Sequence, residues 1–164
     1  MIEMKPAAYS RPQIWLHWVM AVLILMQFVL HEQIVAAWEA LEKGLAPDIN
    51  LAVRSHVIGG GLVLLLVIWR LVLRVRRGAP ALPAREHPAL KGLAHLTHWS
   101  LYALMVILPV TGLATWFGGN ETADFIHTTL KFPLIAFVVL HIAGALYQQF
   151  VLRTGLISRM TRPG

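Results

Sequence analysis

DFIHTTLKFPLIAFVVLHIAGALYQQFVL, residues 124–152, carries only two charged side chains, Asp124 and Lys131. About 20 apolar residues take a helix across a hydrocarbon core, whereas a barrel strand crosses in ~9–11. A run this long and this uniform reads as a membrane helix, because lipid offers a backbone no hydrogen-bond partner. Two histidines, His127 and His141, lie fourteen residues apart within it. At roughly 100° and ~1.5 Å per residue, they fall within about 40° of one face and ~21 Å apart along the axis. One helix can therefore present two imidazoles, one in each leaflet, as two stacked cofactors require. Pro133 between them predicts a kink.

Three further runs share this character, so the membrane helices are expected at roughly 12–30, 50–73, 90–116 and 124–152. The 164-residue chain is 57% hydrophobic and 13% charged, with a mean hydropathy of +0.65. A soluble domain carries about twice that charge. The expected fold is all-α: an integral membrane four-helix bundle forming a single domain over residues 1–164. The first run, preceded by Lys5 and Arg11, is too long for the apolar part of a secretion leader, and no small-x-small cleavage site follows it. Ser10 suits its N-cap and Pro12 its first turn. Pro109 and Gly112 predict a kink in the third helix. In residues 31–49, Ile34, Val35, Trp38 and Leu41 among acidic residues predict a short amphipathic helix at the interface.

The chain has no cysteine. That excludes disulfides, thiolate metal sites and covalently attached haem. The calculated pI near 10.3 does not indicate nucleic acid, because the cations flank the apolar runs. Lys5 and Arg11, then Arg76, Arg77, Arg85 and Lys91, then Arg153, Arg159 and Arg162 all fall on one side of the topology. By the positive-inside rule both termini are cytoplasmic, and residues 31–49 and 117–123 face outward.

That orientation gives each histidine a depth. His56 and His127 share the outer level. His17, His95, His98 and His141 share the inner one. An ionisable group at membrane depth is by default a functional-site hypothesis, and imidazole is the commonest metal ligand. His141 is favoured at the inner level because it shares a face with His127. His17 is its preferred partner, since the helix of His95 and His98 supplies no outer ligand. His95 and His98 then serve as proton donors or as an alternative ligand. His31 and His87 read as solvated loop residues. Gly59, Gly60 and Gly61, just after His56, leave room for close packing or a flat macrocycle. Arg54 and Lys131 outside, and Arg11, Arg70, Arg74 and Arg153 inside, are candidates to pair with haem propionates.

Several stretches together resemble the bacterial cytochrome b561 family over nearly the whole chain. They are Tyr9-Ser10-Arg11 with Gln13 and Leu16-His17-Trp18; His56 with its glycines, then Val67 and Arg70; Gly92-Leu93-Ala94-His95 with His98, then Pro109-Val110-Thr111-Gly112; and His127 with Leu140-His141 and Ala143-Gly144-Ala145. The resemblance implies two b haems, ligated by His56 with His127 and by His17 with His141. It implies a location in the bacterial inner membrane, in contact with lipid, and electron exchange with ubiquinone near the cytoplasmic haem. One branch of the family oxidises superoxide on the periplasmic side. The alternative is a relay subunit serving a separate periplasmic redox protein. The outer face of this chain departs from a superoxide-collecting surface in being net acidic, with Lys43, Arg54 and Lys131 opposed. Gln148 and Gln149 stand where the family often has histidine at the quinone side. With Ser10 and Gln13 they are the expected hydrogen-bonding partners of quinone carbonyls.

Overall fold

The computed structural model describes residues 8–80 and 87–162. Lys5, Pro83 and Arg85 lie outside the described residues. Five helices follow one another: α1 (Arg11–Val29), α2 (His31–Glu42), α3 (Leu51–Arg77), α4 (Pro88–Gly118) and α5 (Glu121–Leu146). A π-helical turn, Tyr147–Val151, prolongs α5, and a 3₁₀ turn, Ser158–Met160, follows it. Four helices are long and apolar enough to cross a membrane: Arg11–Val29, Leu51–Arg77, Pro88–Gly118 and Glu121–Val151. The fifth, α2, is the amphipathic segment expected in residues 31–49, joined to α1 through Leu30 alone.

Local chemistry sets the helix ends. Ser10 caps α1 in a reciprocal box with Gln13. Its N–H and its hydroxyl both donate to Gln13 Oε1, each at 3.0 Å. The side chains of Asn50 and Asn120 accept from Val53 N (3.1 Å) and Ala123 N (2.9 Å) at the starts of α3 and α5. Glu121 and Asp124 add negative charge to the first turn of α5. Arg74, Arg76 and Arg77 lie in the last turn of α3, which stops at Gly78 (φ 73°). His87 is exposed and caps α4, its Nδ1 accepting from Ala89 N at 3.2 Å. Pro88 occupies the first turn, where its missing N–H costs nothing. Pro109 and Pro133 sit inside α4 and α5, which continue through them. The hydroxyls of Thr97, Thr111, Thr115 and Thr128 donate to carbonyls one turn back, as Thr97 does to Leu93 (2.8 Å) and Thr128 to Asp124 (2.8 Å).

In packing, α1 lies on α3, α3 on α4 and α4 on α5, with α2 against α3. Leu101, Leu104 and Leu108 of α4 meet Leu134 of α5 in one buried cluster. Met20, Val67 and Tyr102 join α1, α3 and α4 in another. Most of the remaining apolar surface faces outward, including Trp15, Leu25, Leu65, Phe132 and Phe150. Exposure of that kind is what lipid-facing helices require. No comparably packed seam joins α1 to α5. At their ends the two are tied through the C-terminal segment instead, where Trp18 Nε1 donates to the Met160 carbonyl at 2.8 Å.

Candidate cofactor-binding site

His17 of α1 and His141 of α5 approach edge to ring, with centroids 5.9 Å apart. An iron bonded to two imidazoles at ~2 Å per bond places the centroids roughly 6 Å apart. His98 of α4 lies nearer His141, at 5.1 Å and close to perpendicular. Its Nδ1–H donates to the Ala94 carbonyl of its own helix at 2.6 Å. His95, one turn earlier on α4, is exposed and stands outside this cluster.

At the other end of α5, His127 Nδ1 lies 2.7 Å from the Leu108 carbonyl of α4. A carbonyl only accepts, so Nδ1 carries a proton, and in the neutral ring that leaves the lone pair on Nε2. A metal-ligating histidine is held this way, and the bond raises its basicity. Thr111 Oγ1 stands 3.4 Å from the same Nδ1 while donating to the Ile107 and Leu108 carbonyls. The ring lies in a cradle at Gly112, where a Cβ would come within 2.9 Å of His127 Cε1. Both α5 histidines thus turn toward α4. His56 of α3 is near enough to interact electrostatically with His127. Its Nδ1 is one of two buried side-chain nitrogens without a hydrogen-bond partner among the described residues, the other being Trp38 Nε1 of α2. The His56 ring also meets the backbone of Gln27 in α1. Gln27 of α1 packs its amide against Gly59, so this glycine serves close approach of α1 and α3.

Among the described residues, no group of three or more His, Asp or Glu side chains is arranged to hold a bare metal ion. Imidazole pairs suit an iron whose other ligands come from a macrocycle. The close rings of His17 and His141 and the Gly112 cradle that fixes His127 are a donor set that suits b-type haem.

The surrounding cations occupy distinct settings. Arg70 of α3 donates through Nη1 to the Gln13 carbonyl (2.7 Å) and through Nε to the Tyr102 hydroxyl (3.2 Å), and its Nη2 lies 3.5 Å from His17 Nδ1. Arg74 lies over the rings of Trp99 and Tyr102. Arg11, Arg54 and Arg153 are exposed. Lys131 donates to His31 Nε2 at 2.9 Å. The sequence placed His31 among solvated loop residues. It opens α2 instead, half-buried, where burial and then the Lys131 charge push its pKa below the usual value. It is therefore neutral near pH 7 and able to accept.

Of the residues expected to meet a quinone, Ser10 and Gln13 are engaged in the α1 cap, and Gln13 Nε2 also donates to the Gly78 carbonyl at 3.1 Å. Gln148 Oε1 accepts from Thr154 Oγ1 (3.1 Å), and Gln149 Oε1 accepts from Ile157 N (3.2 Å). Both glutamines hold the π turn to the C-terminal segment. A small cleft at this end is lined by Tyr9, Gln13, Arg70, Arg74, Ala79 and Tyr102. Burial raises the pKa of Tyr9 there, with Arg74 and Arg70 opposing.

Residues 8–163 match the sequence model of a family described as prokaryotic cytochrome b561. The chain is 31% identical over 159 residues to a protein named cytochrome b562 from Cereibacter sphaeroides, covering 94% of this chain and 96% of that one. It is 30% identical over 176 residues to a protein named probable superoxide oxidase CybB from Yersinia pestis, covering 93% and 94%. Four apolar helices, histidines close to one another between them and a family match over nearly the full length lead to one conclusion: this chain belongs to the prokaryotic cytochrome b561 family of multi-pass bacterial membrane cytochromes.

Proposed function

We propose that the protein carries two b haems in the bacterial inner membrane and moves electrons from the outer face to ubiquinone at the cytoplasmic face, with superoxide as the donor. The observation that carries this reading is the pair of histidine levels on α5. His127 belongs to one with His56, and His141 belongs to the other with His17. Haems bound there would supply one-electron iron couples, and His17, His56, His127 and His141 would hold them. The chain's own residues do the rest. The α4 carbonyl at Leu108 fixes the tautomer of His127. Lys131, held by His31, places a cation at the outer level. Two superoxide anions each give up one electron and leave as oxygen. Ubiquinone takes both electrons and two protons to become ubiquinol. His98, within the inner cluster, is better placed than the exposed His95 to pass a proton.

A second reading has a specific observation in its favour. Glu32, Glu39, Glu42 and Asp48 are all exposed on or beside α2, and Lys43 is paired with Glu39 at 3.3 Å. Such a surface suits a cationic redox protein better than an anion. The purified protein separates the two. Superoxide generated in solution should reduce both haems with no other protein present, superoxide dismutase should abolish the effect, and short-chain ubiquinone should reoxidise the haems. Haems that stay oxidised until a cationic electron carrier is added would establish the relay instead.

A further inference from the structure

The two histidine levels differ in what lies beside an imidazole Nδ1. At the outer level the Nδ1–H of His127 has an acceptor, the Leu108 carbonyl at 2.7 Å. At the inner level His17 Nδ1 has a cation beside it, Arg70 Nη2 at 3.5 Å. An acceptor draws the ligand toward imidazolate and strengthens it as a donor, which favours ferric iron. A guanidinium has no acceptor atom and stays charged at any working pH. It cannot serve the ligand that way, and its charge favours the less positive ferrous state.

Arg70 is well suited to act as a fixed charge. The Gln13 carbonyl of α1 and the Tyr102 hydroxyl of α4 hold its guanidinium from two sides. Gln13 is in turn pinned by the Ser10 cap and by Gly78. Among the described residues the only carboxylate salt bridge is Lys43–Glu39, so no described carboxylate pairs with Arg70. With its donors engaged in this way, Arg70 is directed at His17, and Arg74 is the freer candidate for a propionate. Lys131 at the outer level is differently placed. It bonds to His31, and Glu32 acts on that same imidazole.

We infer that Arg70 holds the His17–His141 haem at a higher midpoint potential than the His56–His127 haem, so that electrons run downhill from the outer level to the inner one. This rests on the two-haem reading proposed above. The residue acts through the charge it places against a ligand, so the readout is a potential and not a rate. The test is a spectroelectrochemical titration of purified wild type, with the His127→Ala variant identifying which transition belongs to the inner haem.

In wild type the inner transition should be the higher of the two. In Arg70→Gln it should fall by about tenfold in its one-electron equilibrium, ~59 mV, with the outer transition unmoved. Arg70→Lys should retain most of the wild-type value. An inner haem that titrates below the outer one in wild type would overturn the inference, as would an Arg70→Gln protein with unchanged potentials. Should Arg70→Gln fail to retain haem, the wild-type order and the Arg70→Lys titration decide the matter alone. A single haem per chain would instead remove the two-haem reading on which the inference stands.

Discussion

In a His127→Ala variant the outer haem is expected to be absent while the inner one keeps its low-spin spectrum, so that roughly half of the reduced-minus-oxidised signal is lost. The ring of His127 is fixed from three sides: by its own helix, by the Leu108 carbonyl and by the hollow at Gly112. No other histidine is held at that level in the same manner, and alanine leaves nothing to ligate. His56→Ala should have the same outcome. Gly112→Ala should approach it without touching a ligand, because its Cβ would lie 2.9 Å from His127 Cε1 and push the ring off the carbonyl. Gly92→Ala on the same helix is the control, since a Cβ there meets nothing within 4 Å. Loss of both haems from every one of these variants would contradict two independent sites.

The inner site gives the second large effect. His17→Ala and His141→Ala should each abolish the inner low-spin haem, whereas His95→Ala and His98→Ala should keep it. The centroids of His17 and His141 are 5.9 Å apart, close to the roughly 6 Å that two imidazoles on one iron span, and those of His98 and His141 are 5.1 Å apart. His98 is further committed through its Nδ1–H to Ala94. If low-spin absorption survives in His141→Ala and disappears in His98→Ala, the ligand belongs to α4 and the assignment is wrong.

The membrane helices were legible because lipid imposes one rule, a long apolar run, and residues 124–152 state it with only Asp124 and Lys131 as exceptions. α2 was legible from the spacing of Ile34, Val35, Trp38 and Leu41. What stayed hidden depended on three-dimensional neighbours. His31 looked like a loop residue because nothing local shows that Lys131, a hundred positions later, would meet it. Gly112 read as part of a kink, whereas its role is to admit a ring from the next helix.

Gln13 is a different case. Its part in the α1 cap was visible in Ser10-Arg11-Pro12-Gln13, the spacing of a capping box, but its position beside the cytoplasmic end drew a quinone reading first. The π turn at Tyr147–Val151 could not be read from residue pattern. It comes from Gln148 and Gln149 bonding forward to Thr154 and Ile157, a tertiary preference that local helix propensity does not encode.

The central claim is that one chain holds two haems at two levels between α1, α3, α4 and α5. The most direct measurement is the haem-to-protein ratio of the purified wild-type protein, by haemochrome absorbance against quantitative amino-acid analysis. About two b haems per chain, one for each imidazole pair, is the predicted result. A reproducible ratio of about one in fully loaded protein would contradict it.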